Sequence, residues 1–270
     1  IFSTASITKQ LQGKELSEFG LLKEAGAVAF TDAINAVNKS SVMYKALKYA
    51  SAFDILLMQH PEDKELSAGG SMTAGKLATE LGIKGIPLQA EVIQVERDLR
   101  LAEMTNGRIH FLNISTGLAI DAIKNAKKKG VKVTCSTSPH YFSLDEADIK
   151  KWRTFSKLSP PLRDKKNLNF VKEGIVNNII TCITSDHSPH DTDSKRLPFE
   201  IASPGSIGFE SLLPLTLNLV KEKKLGLLNL VELISTNPAK LLSLNTGSLK
   251  KGKPADIVLF DPNKKIKLSS

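Results

Sequence analysis

Thr184-Ser185-Asp186-His187-Ser188-Pro189-His190 gathers one carboxylate and two imidazoles in a single short segment. An aspartate can bind a metal ion, and it can also take a proton from an attacking water. The segment follows an apolar, β-branched run, Ile179-Ile180-Thr181-Cys182-Ile183, that reads as a buried strand. In a parallel (β/α)8 barrel, chemistry collects at the C-terminal ends of strands. The spacing therefore points to a metal-dependent hydrolase.

Other strand ends carry groups of the same kind. Asp32 follows Ala27 to Thr31, His60 follows Ile55 to Gln59, and Asn113 closes Arg108 to Ile114. Zinc takes imidazole and carboxylate, and a catalytic zinc keeps one position open for water. An Asp after a strand can also be a helix N-cap, and one His there can be purely structural. Together with Asp186, the set favours a metal site. The other histidines are expected to differ. His110, inside a strand, is a packed core residue. His140 supports a loop after Ser138-Pro139. His187 points away from Asp186, whereas His190 reaches back over the mouth to a substrate. Ser159-Pro160-Pro161-Leu162-Arg163-Asp164 is a stiff loop, because two prolines fix its backbone. It can present a carbonyl to a ring N–H, or serve as a rigid connector. Glu96 and Arg100 are expected to pair at i, i+4.

Positioning these groups needs a scaffold. Helical patterns over 14–25, 41–52, 91–105, 116–129 and 165–177 alternate with apolar strands. Such alternation indicates an α/β fold built from parallel βαβ units. Five strands after Gly26, with a partial one at Ile1 to Ala5, make about six units where a closed barrel has eight. Two units are expected to be missing from the front. Beyond Pro204-Gly205 come helices over 209–223 and 228–235, and another begins at Asn237-Pro238. A turn-rich stretch then leads to an expected strand, Ile257 to Asp261. The expected division is a barrel over 1–245 and part of a small β-sandwich over 246–270.

Composition sets the outer limits. The chain has 270 residues, 41% hydrophobic and 24% charged, enough for one large globular core. No apolar run approaches the ~20 residues of a membrane span. The start, Ile1-Phe2-Ser3-Thr4, lacks the basic residues and long apolar stretch of a signal peptide, and it lacks an initiator Met. Cys135 and Cys182 fit no disulfide framework and suggest a reduced, cytoplasmic protein. The net charge of +9 is mostly lysine and lacks interleaved aromatics. That argues against nucleic acid and is compatible with a small acidic substrate.

The residues resemble the dihydroorotase branch of the amidohydrolase superfamily. The resemblance runs over Gly26 to Asp32, His60-Pro61-Glu62-Asp63, Gly69-Gly70, Gly75, Gly85-Ile86-Pro87, Ala90-Glu91, Arg97 and Ile114-Ser115-Thr116. It continues through Ser159 to Arg163, Thr184 to His190, Glu210, Asn237-Pro238-Ala239 and Pro254-Ala255-Asp256. It implies a (β/α)8 barrel with a small β-sandwich, zinc, and interconversion of N-carbamoyl-L-aspartate and L-dihydroorotate in pyrimidine biosynthesis. By position, Asp186 would be the proton shuttle and a metal ligand, with His60 a ligand and Asp32 near the metal. His190 and Ser159 would contact substrate.

Three departures accompany the resemblance. The family's first-strand His-x-His pair and following Arg occur nowhere in the chain. Asn113 stands where the family places a metal-binding His. Ser159 stands where many dihydroorotases have Asn, a feature closer to hydantoinases. Alternatives are a non-catalytic homologue that partners aspartate transcarbamoylase, and a hydantoinase- or allantoinase-type cyclic amidase. Open barrel edges are expected to favour a homo-oligomer.

Overall fold

The computed structural model describes residues 1–149 and 152–264. Its strands are β1 (Phe30–Thr31), β2 (Leu56–Gln59), β3 (Met72–Thr73), β4 (Gly85–Ile86), β5 (Arg108–Phe111), β6 (Val133–Thr137) and β7 (Cys182–Ile183). Five of them form one parallel sheet in the order β1-β2-β5-β6-β7. Leu57 registers with Ile109, and Ser136 with Cys182. β3 and β4 form a separate parallel pair that the sequence reading did not foresee. The partial strand expected at the front does join the sheet: Ala5 N donates to Ala29 O at 3.0 Å and Thr31 N to Ala5 O at 2.8 Å.

The connections are α1 (Phe19–Glu24), α2 (Ser40–Ala52), α3 (Lys64–Ser67), α4 (Lys76–Leu81), α5 (Gln89–Thr105), α6 (Gly117–Lys128), α7 (Pro139–Ser143) and α8 (Lys165–Val176). After β7 come α9 (Thr192–Arg196), α10 (Phe209–Lys221), α11 (Leu227–Val231) and α12 (Asn237–Leu241), with a π turn at Glu232–Thr236. Strands in a covered parallel sheet are buried on both faces and read as continuous apolar runs. Leu57, Ile109 and Phe111 are fully buried accordingly. α2 buries Val42, Met43, Ala46, Leu47 and Ala50, and α6 buries Ala119, Ile120, Ile123 and Ala126. That spacing is the apolar stripe of a helix packed on a core. Each such large side chain contributes roughly 1.5–3 kcal/mol by burial.

Polar pins fix how the helices sit. Thr116 caps α6 by accepting from Ala119 N, and Asp164 caps α8 by accepting from Asn167 N. Arg97 binds the carbonyls of Val37 and Asn38 and pairs with Asp98. Gln59 Nε2 donates to the other Asp98 oxygen at 3.0 Å. Burial pushes Asp98 up to about 6, and Arg97 offsets part of that rise. Asn237 Nδ2 donates to Thr181 O at 3.0 Å, which explains Asn-Pro-Ala at that point: it ties α12 to the strand leading into β7.

Three expectations need correction. The helix expected over 14–25 shortens to α1, because residues 7–17 form a small antiparallel contact first. Lys9 N donates to Glu15 O at 2.9 Å and Ser17 N to Ile7 O at 3.0 Å, so those backbone groups are taken. Ile257 to Phe260 form no strand, and Ile257, Val258 and Leu259 are 72%, 78% and 98% exposed. Only Phe260 packs against the core. Glu96 and Arg100 are not among the ion pairs of the described residues. Residues 265–270 of the expected appendage lie outside the described residues.

Candidate active site

The mouth lies where β2, β5 and β7 end. Past β5 the chain is held by Leu112 N donating to Gln59 O at 2.9 Å and Ile114 N to Ser136 O at 2.8 Å. Between them Asn113 takes φ 52, and past β7 Asp186 takes φ 49. Asn and Asp tolerate this left-handed backbone better than most L residues. Asn113 Nδ2 donates to Asp186 Oδ1 at 2.7 Å, and Thr184 Oγ1 donates to Asn113 Oδ1 at 3.2 Å. Asp186 Oδ2 accepts no hydrogen bond among the described residues and is not sealed from solvent. Burial pushes the Asp186 carboxyl above the usual range, and the Asn113 bond partly offsets it.

His60 ends β2 and is buried, with Nε2 3.1 Å from Ser159 Oγ. Burial, then the nearby Arg163 guanidinium, pushes the imidazole down to about 4, so it is neutral at pH 7. Asp32 is 1% exposed, and both its oxygens are in use. Oδ1 accepts from Ile7 N and Thr8 N, each at 2.9 Å, and Oδ2 accepts from the Thr8 hydroxyl. Asp32 thereby anchors the segment before β1.

Among the described residues, no three His, Cys, Asp or Glu side chains gather as a group able to hold a metal ion. Asp32, His60 and Asp186 are not brought together as such a group. Asp32 serves backbone donors, His60 faces a hydroxyl, and Asp186 faces an amide. The donors of this chain do not by themselves fit the zinc that the resemblance implies.

The Ser159-to-Arg163 loop is fixed on both sides. Tyr141 Oη donates to Pro160 O at 2.9 Å and Thr73 Oγ1 to Leu162 O at 2.8 Å. Arg163, 3% exposed, donates from Nε to Ser115 Oγ at 2.9 Å and from Nη1 to Thr73 Oγ1 at 3.2 Å. Its Nη2 lies 3.6 Å from Glu91 Oε2. Glu91, fully buried in the first turn of α5, also accepts from the backbone and hydroxyls of Ser115 and Thr116. The sequence reading named Glu91 and Arg163 in its motifs but gave them no role. The signal was present, since a charge that falls on a buried face needs a partner. The partner's position was not.

Beside Ser159 is a cleft of about 180 Å³, lined also by Ile34, Asn35, Ala36, Glu62, Lys64 and Ser67. Among the described residues Glu62 Oε2 is buried without a partner, and burial pushes its carboxyl up.

His110, His140 and His187 have structural partners in line with the roles expected of them, whereas His190 was expected to reach a substrate. His110 is buried with Nδ1 2.8 Å from Thr134 Oγ1, and burial pushes it down to about 3. His140 bridges Ser138 Oγ at 3.0 Å and Ser206 Oγ at 2.8 Å. His187 turns away from Asp186, stacks on Phe209, and accepts from Gly208 N at 3.2 Å. A Cβ on Gly208 would sit 1.9 Å from Ser185 O, so only glycine lets the loop close here. His190 is exposed and donates from Nε2 to Pro204 O at 2.8 Å.

Known structures share this architecture. The L-hydantoinase (dihydropyrimidinase) of Arthrobacter aurescens superposes over 93% of this chain and 58% of its own, with TM-score 0.78 and 24% identity. A D-hydantoinase from Thermus sp. superposes over 94% of this chain and 58% of its own, with TM-score 0.77 and 23% identity. The chain thus shares the fold of these hydantoinases over the part of them that it covers. By sequence the chain is similar to dihydroorotases. Residues 1–118 match the family model described as dihydro-orotase-like. The chain is 46% identical, over 97% of its length, to the dihydroorotase of Acetivibrio thermocellus. It is 44% identical over its whole length to that of Ruminiclostridium cellulolyticum. It spans 62% and 63% of the lengths of those two relatives.

Proposed function

We propose that the protein acts as a dihydroorotase-type cyclic amide hydrolase, interconverting L-dihydroorotate and N-carbamoyl-L-aspartate in pyrimidine biosynthesis. The observation that carries this is a strand-end carboxylate, Asp186, with one oxygen held and one open, in a dihydroorotase-like chain. In the hydrolytic direction, Asp186 Oδ2 takes a proton from water as the water oxygen bonds to the ring carbonyl carbon. The ring C–N bond then breaks, and the proton passes to the departing nitrogen. His190 and Ser159 are the candidate substrate contacts. The lysine-rich surface attracts a dianionic product.

Zinc dependence is proposed for the whole protein. His60 and Asp186 are the donors this chain offers, and a zinc site needs more than two. Free, buried Cys135 and Cys182, pushed up to about 11 and about 12 by burial, support a reducing compartment such as the cytoplasm. No helix of the described residues is long and apolar enough to cross a membrane. The exposed apolar row at Ile257 to Leu259 supports assigning 246–270 to a β appendage, and exposed Ile207 and Phe209 support self-association. A role as a non-catalytic partner of aspartate transcarbamoylase is the alternative, and co-purification with that enzyme tests it.

The deciding experiment offers the whole protein dihydroorotate, hydantoin and allantoin, with zinc added and removed. Turnover of dihydroorotate, lost in Asp186→Asn, is expected. Turnover of hydantoin or allantoin in its place would overturn the substrate assignment.

A further inference from the structure

Asn113 links the ends of β5 and β7 through its side chain. It sits past β5 on a left-handed backbone, and both ends of its side chain are engaged at the mouth. A carboxamide has one accepting end and one donating end. The Thr184 hydroxyl shares its one proton between two acceptors, Asn113 Oδ1 at 3.2 Å and Thr137 O at 3.3 Å, which marks Oδ1 as the accepting end of the Asn113 amide. That contact turns the donating Nδ2 toward Asp186, where it lies 2.7 Å from Oδ1. The carboxylate is thereby gripped at one oxygen and left open at the other.

We propose that Asn113 is a positioning residue for Asp186: its amide, oriented by Thr184, fixes Oδ1 so that Oδ2 alone is presented for proton transfer. The proposal rests on the reading of Asp186 as the proton acceptor. It assigns a task to Thr184-x-Asp186 and to the residue facing it across the mouth. Thr184 sets the amide, the amide sets the carboxylate, and the carboxylate meets the water. Without the amide, Asp186 keeps its charge but loses its orientation. Misplaced catalytic groups lose rate much more than they lose binding.

The test compares steady-state kinetics of the whole protein with Asn113→Gly, Asn113→Asp, Thr184→Val, Thr184→Ser and Asp186→Ala. Glycine suits the left-handed backbone, and Asp keeps the size of Asn while removing the donor. Both Asn113 variants are expected to lose kcat by roughly 10–100-fold, the worth of one hydrogen bond to a charged group, with KM within about twofold. Thr184→Val is expected to lose less, and Thr184→Ser to restore the rate. The double variant Asn113→Gly with Asp186→Ala is expected to be no slower than Asp186→Ala alone, because Asn113 acts through Asp186. Unchanged kcat in both Asn113 variants, or losses that multiply in the double variant, would overturn the proposal. Full activity in Asp186→Ala would instead overturn the reading beneath it. A readout independent of turnover is the NMR signal of the Asn113 side-chain amide. One proton is expected downfield and slow to exchange, and that signature is expected to vanish in Asp186→Ala. An amide signal indifferent to Asp186 would overturn the proposal whatever the activity.

Discussion

Glu91 and Asp186 are both carboxylates taken out of bulk water, and they are treated in opposite ways. Glu91 is fully buried and accepts from two backbone N–H groups and two hydroxyls, with Arg163 alongside. Asp186 is only partly buried and, among the described residues, accepts from a single amide. A buried charge left unpaired is costly, so a saturated carboxylate holds structure together. A carboxylate with a spare oxygen in reach of solvent is available for chemistry. Glu91 locks the N-terminus of α5 to the Ser159-to-Arg163 loop and to the turn after β5. Asp186 sits at the rim that this lock steadies.

The comparison breaks most visibly at Glu91. Glu91→Ala leaves Arg163 buried without its partner and should cost roughly 3–5 kcal/mol in urea unfolding. Replacing both partners by apolar residues should recover part of that loss. His110 extends the test to a second buried, hydrogen-bonded group. Its pKa is depressed from 6.5 to about 3, so the native state binds fewer protons than the unfolded one. Its contribution is fully present above pH 6.5 and is lost as pH falls toward about 3. The loss should reach up to about 4 kcal/mol, and His110→Gln should flatten the acid limb of stability against pH.

Asp186→Asn should behave in the reverse sense. Stability should move by less than about 1 kcal/mol while turnover falls roughly 100-fold or more. Equal losses of stability and turnover would erase the distinction between the two carboxylates. Ser159→Ala removes one hydroxyl from His60 and should cost about 1 kcal/mol by thermal melting. The exposed pair Lys76–Glu80, 91% and 55% exposed, sets the floor. Glu80→Ala should change stability by less than about 0.5 kcal/mol.

Much of this was legible in the chain. The run from Ile179 to Ile183 required a buried strand, and the polar residues after it required a mouth. His110, His140 and His187 were assigned to structure from their positions, and each has its partner there. Elements whose hydrogen bonds are local, such as α2, α5, α6 and α8, matched closely because helical periodicity needs no distant partner. The short strands β3 and β4 escaped notice, since two residues carry no period. The segment Ile257 to Phe260 misled for the converse reason. It has strand composition, but no neighbouring strand is paired with it among the described residues.

The sequence by itself determined the alternation of strand and helix, the dihydroorotase-like motifs, and which residues end the strands. Those follow from periodicity and residue type, which are local properties. Only the tertiary structure decided what each strand-end group faces. Asp32 turned to the backbone of Ile7 and Thr8, His60 to Ser159, and Asp186 to Asn113. Hydrogen-bond saturation depends on groups that lie far apart in the chain and meet only when the sheet is assembled. One free oxygen on Asp186 is therefore a property of the fold, although every residue that leaves it free is written in the sequence.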